Sequence, residues 1–152
     1  MQVDYPPESP LNDPAVFGRF LKLLYFILFA TVGLYWMVLE MLAAQIEPAE
    51  LGMMKTGLAA VAAILGGVVL YLRFSRIGAL LTETIGDWSQ RLARLRFFYI
   101  ICFTLSEAVA LYGFVVRFLG GERGDAIPFF LGAVVLFLLC YPRVPEAPGS
   151  VS

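Results

Sequence analysis

One side chain in this sequence could do chemistry where chemistry is costly. Glu107 lies within the apolar run from Phe97 to Leu119, ten residues from one end and twelve from the other. At about 1.5 Å of rise per residue, those ends lie roughly 15 and 18 Å away along a helix. A hydrocarbon core is about 30 Å thick, which puts the carboxyl near its midplane. An acid at that depth costs on the order of 2.5 to 3.5 kcal/mol on insertion scales, so it normally faces protein, water or a partner. Desolvation favours the uncharged acid, and Glu107 is expected to be neutral or to share a proton near pH 7. It is therefore the candidate proton or cation site of the chain.

Candidate partners for the carboxyl are Thr104, three residues earlier on the same helical face, Tyr112 beyond it, and Thr31 and Tyr35 from an earlier apolar run. Arg117 is ten residues on, about 15 Å away, which excludes an ion pair within one helix; its side chain is expected to snorkel to the outer surface. Ser106 adjoins Glu107 in sequence, but consecutive helical side chains point about 100° apart and form no dyad. The chain holds no histidine, which removes the usual base of serine and cysteine catalysis and the commonest zinc ligand. Cys102 and Cys140 lack the paired spacing of a metal or redox motif and are expected to be small buried hydrophobes. Gly120 to Asp125, GGERGD, lacks the lysine of a phosphate loop and is expected to be a turn. Glu40, Glu47 and Glu50 are expected to be solvated loop acids. No catalytic residue, metal or cofactor is assigned, and a non-enzymatic protein is expected.

The elements that would hold Glu107 follow from composition. The chain has 152 residues, 60% hydrophobic and 15% charged, with 11 basic and 12 acidic residues, and its mean hydropathy is +0.80. Soluble domains average about 45 to 50% apolar and about 25% charged, so a water-soluble enzyme is excluded. A formal charge of −1 supplies no uniform basic field for nucleic acid or anionic lipid, so charge position matters more than charge total. The expected fold is all-α: an integral membrane four-helix bundle with spans at about 20–39, 53–72, 97–119 and 126–141. Pro128 in the first turn and Asp125 as cap would begin the fourth. Residues 1–16 hold four prolines and no signal-peptide pattern, and are expected to be a flexible arm; residues 144–152 are expected to be a flexible tail.

Charge position sets the expected orientation. Arg19, Lys22, Arg73, Arg76, Arg91, Arg94, Arg96 and Arg143 fall at one face, and Lys55, Arg117 and Arg123 at the other. Both termini are then expected in the cytoplasm, across a bacterial-type inner or plasma membrane. The connection from about Phe74 to Arg96 carries Ile77, Leu80, Leu81, Trp88, Leu92 and Leu95 at helical spacing, which predicts a cytoplasmic amphipathic linker helix. Small residues of the second span, Gly57, Ala59, Ala63, Gly66 and Gly67 among them, predict close helix packing within the protomer or between copies.

The stretch EAVALYGFVV, Glu107 to Val116, resembles the carboxylate helix of rotor-ring proteolipids, the c-type subunits of rotary ATPases. GLAAVAAILGG, Gly57 to Gly67, is similar to the small-residue inner helix of that family. The resemblance implies that Glu107 carries the transported proton or sodium ion, with Tyr112 and Gly113 at packing positions after it. The chain departs from the family in its long connection, its two extra spans, its Arg117 and its lack of an alternating glycine ladder.

Two readings follow. In one, the chain is an accessory or structural subunit packed in a larger membrane complex, with Glu107 hydrogen-bonded across helices. In the other, it is a proteolipid-like oligomer that binds or relays a proton or cation at Glu107. The expected partners are the lipid bilayer and other membrane subunits or copies of the chain, with no nucleic acid.

Overall fold

A computed structural model describes residues 13–42, 49–82 and 88–144. Every element among them is helical: α1 (Pro14–Leu42), α2 (Gly52–Tyr71), a π-helical segment (Leu72–Ile77), α3 (Gly78–Thr82), α4 (Trp88–Phe118) and α5 (Arg123–Leu139). Three stretches are long and apolar enough to cross a membrane, namely Pro14–Leu42, Gly52–Thr82 and Trp88–Phe118. The fourth expected span coincides with α5, which has 17 residues against the roughly 20 that a crossing ordinarily takes.

Contacts at the two ends fix the directions. At one end the Ala49 N–H donates to the Gly120 carbonyl (2.9 Å), Lys55 pairs with Asp125, and Arg123 pairs with Glu40 (3.2 Å). At the other, Arg73 Nε donates to the Leu139 carbonyl (2.7 Å), and the Arg143 N–H donates to the Tyr99 hydroxyl (3.0 Å). So α1 and α4 run one way while α2 and α5 run the other. The central element is α4, with Leu92, Leu95, Tyr99, Cys102, Phe103, Ser106, Val109, Ala110, Gly113 and Val116 buried. Their three- and four-residue spacing brings successive neighbours onto adjoining faces. Helix α1 buries a narrower stripe, Phe17, Leu21, Tyr25, Val32 and Leu39, and leaves Leu23, Phe26, Ile27, Leu34 and Met37 exposed as an apolar outer face.

The linker differs from expectation. No separate amphipathic helix covers 74–96 among the described residues. Instead, the second helix continues through the π-helical segment and α3, and α4 begins at Trp88. Ile77, Leu80, Leu92 and Leu95 are buried, with Leu81 and Trp88 packed against them. A helical apolar stripe suits a bilayer surface and a neighbouring helix equally well, and here the two extensions bury their stripes in the protein core. Arg91 of α4 ties the two helices together, donating to the carbonyls of Leu80 (2.6 Å) and Leu81 (2.9 Å) near the end of α3.

The inner edges of the expected arms belong to the described fold. Residues 1–12 and 145–152 lie outside the described residues, as does Glu47. Pro14 to Val16, expected in the flexible arm, form the first turn of α1. Asp13 caps it by accepting the Ala15 N–H (2.8 Å), and proline suits the first helical position because the missing N–H has no partner there. Val144, expected in the tail, lies against α1, where its Cγ2 is 2.7 Å from where a Cβ on Gly18 would stand.

Helix α5 starts three residues earlier than expected, with Glu122 as its N-cap residue. Asp125 is therefore not the cap residue; its Oδ2 accepts the Glu122 N–H (3.3 Å), and Pro128 falls in the second turn. Lys55, hydrogen-bonded to Asp125, holds that carboxyl below its ordinary value of 3.8. A carboxyl depressed on folding contributes stability above its unfolded value and loses it as pH falls through the folded one. The α2–α5 clasp should hold from neutral pH down to about pH 4 and release in stronger acid. Melting in detergent should therefore show Asp125→Asn less stable than the parent at pH 6, with the difference closing towards pH 3. A difference that stays constant over that range would show that charge is not its source.

Candidate functional site

Thr31 and Tyr35 are four residues apart and so share one face of α1. That face lies along α4 at the level of Glu107. The Thr31 hydroxyl donates to Glu107 Oε1 (2.9 Å), and the Tyr35 hydroxyl donates to the same oxygen (3.0 Å). All three residues are half-buried. The Tyr35 ring packs on Phe114 of α4, with centroids 5.7 Å apart, which holds the phenol against the carboxyl.

The Thr31 hydroxyl also donates to the Leu28 carbonyl (2.6 Å), and it has only one proton to give. With an ionised carboxylate, that proton must be divided between Leu28 and Glu107. The three contacts at Thr31 and Glu107 Oε1 thus share the protons of two hydroxyls. No donor among the described residues reaches Oε2.

The other expected partners stand apart from this cluster. Thr104 is exposed and Tyr112 half-buried on α4, and neither bonds to Glu107. Ser106 is fully buried and donates to the Cys102 carbonyl one turn back (2.7 Å), away from the carboxyl. Arg117 donates to the Gly121 carbonyl (2.8 Å); it secures the turn after α4 and does not pair with Glu107.

Of the expected packing positions, Gly113 is the tightest. A Cβ there would stand 2.8 Å from Phe129 Cβ and 3.1 Å from the Ala126 carbonyl oxygen, so α5 crosses directly over it. Gly66 faces Leu136 of α5 at 3.8 Å. Gly57 and Gly67 have nothing within 4 Å of a Cβ, and Ala59 and Ala63 are exposed. The small-residue face of α2 is thus largely uncovered within the protomer. Part of it, with Val109, Pro128 and Gly132, lines an open groove of about 540 Å³ between α2 and α5, and Lys55 and Asp125 stand at one end.

Sequence reasoning missed one juxtaposition. Cys102 and Cys140 are free and fully buried, and their side chains meet across the α4–α5 interface. The signal was hairpin register: Cys102 lies 16 residues before the end of α4, and Cys140 lies 17 after the start of α5. Among the described residues, no cluster of side chains could hold a metal ion.

Comparison of the chain with protein-family models, with curated proteins and with solved structures finds no match.

Proposed function

We propose that the chain is a small non-enzymatic integral membrane protein of four spans, serving as an accessory or structural subunit packed against other membrane subunits. The observation that carries this reading is the half-buried Glu107 carboxyl: α1 satisfies Oε1, and no donor among the described residues reaches Oε2. At mid-helix depth in a bilayer, a carboxyl oxygen left without a donor costs several kcal/mol. A neighbouring subunit or second copy that covers or bonds Oε2 removes that cost. The uncovered small-residue face of α2 supports the same reading, because such faces allow close helix approach where lipid supplies no hydrophobic drive.

In this reading α5 is the fourth span. Its 17 residues reach about 26 Å, a mismatch that local thinning of the bilayer and flanking residues absorb at modest cost. The arginine-rich end faces the cytoplasm of a bacterial-type inner or plasma membrane, by the positive-inside bias. Native mass analysis after gentle extraction tests the proposal. Large membrane subunits should co-purify with the chain, and recovery as a lone species or a discrete homo-oligomer would overturn the accessory role.

A second reading has its own support in the Leu28–Thr31–Glu107–Tyr35 cluster, where three contacts share two hydroxyl protons and a proton on the carboxyl fills the Glu107–Thr31 contact. There the chain is a proteolipid-like oligomer that binds or relays a proton or cation at Glu107. Labelling with a hydrophobic carbodiimide, which selects protonated and desolvated carboxyls, should then modify Glu107 and fade as pH rises. No modification at any pH would end this reading.

A further inference from the structure

At the arginine-rich end, the π-helical segment and α3 lie beside the first turns of α4 and enclose a cleft of about 620 Å³. Its rim carries Ser75, Arg76, Gln90 and Arg94, and below them its wall is apolar, with Phe97 and Phe98 on the α4 side. We propose that this cleft binds the anionic headgroup of a membrane phospholipid, the phosphate held by Arg76 and Arg94 and an acyl chain lying along Phe97 and Phe98. The inference rests on the membrane reading above and adds a ligand to it.

Three observations support it. The first is charge without a counter-charge. Among the described residues, the ion pairs are Lys55–Asp125 and Arg123–Glu40, both at the opposite end. Among the described residues, Arg94 meets the Gln90 side-chain oxygen (3.2 Å), and no hydrogen bond reaches Arg76. Two guanidinium groups on facing helices repel each other unless an anion lies between them. Phosphate suits the position, since a guanidinium can grip two of its oxygens at once.

The second observation is depth. Arg94 precedes Phe97 by one helical turn, about 4.5 Å along the axis, and Phe97 is 60% exposed. Cationic groups thus sit one turn above an outward-facing aromatic, the order in which a headgroup and its acyl chains are stacked at an interface. A soluble phosphate would use the rim and leave the apolar wall bare, whereas a lipid uses both.

The third is the backbone that forms the rim. Leu72–Ile77 is wound as a π-helix, which inserts an extra residue into the turn and shifts the register of the side chains after it. Such insertions recur at functional sites, and this one carries both Ser75 and Arg76 of the cleft. The neighbouring cations Arg73, Arg91, Arg96 and Arg143 add attraction for anionic lipid without entering the cleft.

The test uses the full chain, purified in mixed micelles containing dioleoyl phosphatidylglycerol or dioleoyl phosphatidylcholine, with native mass spectrometry reading the lipid retained. Phosphatidylglycerol should be retained and phosphatidylcholine lost. Arg76→Gln and Arg94→Gln should each weaken retention about fivefold. Arg19→Gln, an equal charge loss at the same end but outside the cleft, should leave it unchanged, and inorganic phosphate should not displace the lipid. Equal retention of both lipids, equal loss with Arg19→Gln, or displacement by inorganic phosphate would each overturn the proposal. Arg76→Lys and Arg94→Lys keep the charge and guard against a folding defect: their retention should exceed that of the Gln variants. Carbonate extraction of cell membranes tests the membrane reading separately, because a chain that resists extraction yet retains no phosphatidylglycerol loses the lipid site alone.

Discussion

Replacing Gly113 with alanine should loosen α5 from α4 and lower stability by about 1 to 3 kcal/mol, the usual cost of forcing extra atoms into a packed core. The added Cβ would stand 2.8 Å from Phe129 Cβ, 3.1 Å from Phe130 Cδ2 and 3.1 Å from the Ala126 carbonyl oxygen. The phenylalanine ring can turn, but the Ala126 oxygen belongs to the α5 backbone and can retreat only if the helix moves. Movement there disturbs Ala126, Phe129, Phe130 and Ala133, all buried. Gly67→Ala supplies the contrast, because nothing lies within 4 Å of its Cβ position, and alanine should gain up to about 1 kcal/mol of helix stability there. Denaturation midpoints in mixed micelles would check the pair. If Gly67→Ala proved the more damaging, the α2 face would be packed against something in the assembled state, and the protomer alone would not define its stability.

The contrast between these two glycines shows what the sequence could and could not convey. A small residue permits close approach, but its type does not say whether another helix comes. Gly113 and Gly67 both lie in apolar runs, and only the path of α5 separates them. The long helices were legible because runs of some twenty apolar residues admit few other structures in lipid. The linker was harder to read: Leu80, Leu92 and Leu95 have the spacing expected of either a surface helix or a hairpin, and their burial depends on the turn between α3 and α4. The start of α5 was misplaced because Asp125 is a good N-cap type, whereas the helix begins at Glu122 and uses Asp125 one turn further in.

At the candidate site, depth was legible and direction was not. Glu107 and Thr31 lie near the middle of their runs, with Tyr35 one turn beyond Thr31, so parallel helices bring them to neighbouring levels. Thr104 also fits by spacing, yet it projects from an exposed part of α4 while the carboxyl turns towards α1. Which face of α4 meets α1 is fixed by the packing of Tyr99, Phe103 and Ala110 in the core, and no local pattern around Glu107 encodes it. The Cys102–Cys140 meeting is of the same kind, a consequence of hairpin register that neither cysteine's neighbours reveal.

The double variant Thr31→Val with Tyr35→Phe should be less stable than the sum of its single changes predicts. Each single change leaves Glu107 Oε1 one hydroxyl partner, and interhelical hydrogen bonds in membranes average about 0.6 kcal/mol with a maximum of about 1.7. Removing both strands the carboxyl between α1 and α4, at a desolvation cost of about 1 to 3 kcal/mol. Glu107→Gln in the otherwise unchanged chain should be nearly silent, since the amide oxygen can take the place of Oε1 and accept from both hydroxyls. Adding Glu107→Leu to the double variant should restore stability to the parent level or above, because removing a buried polar group together with its partners leaves nothing unsatisfied. Thermal denaturation of all six proteins, the parent and both single variants included, in the same micelles provides the cycle. A double variant as stable as the parent, or a triple variant with no rescue, would mean that the carboxyl is held by something other than α1, and the polar latch between the two helices would have to be abandoned.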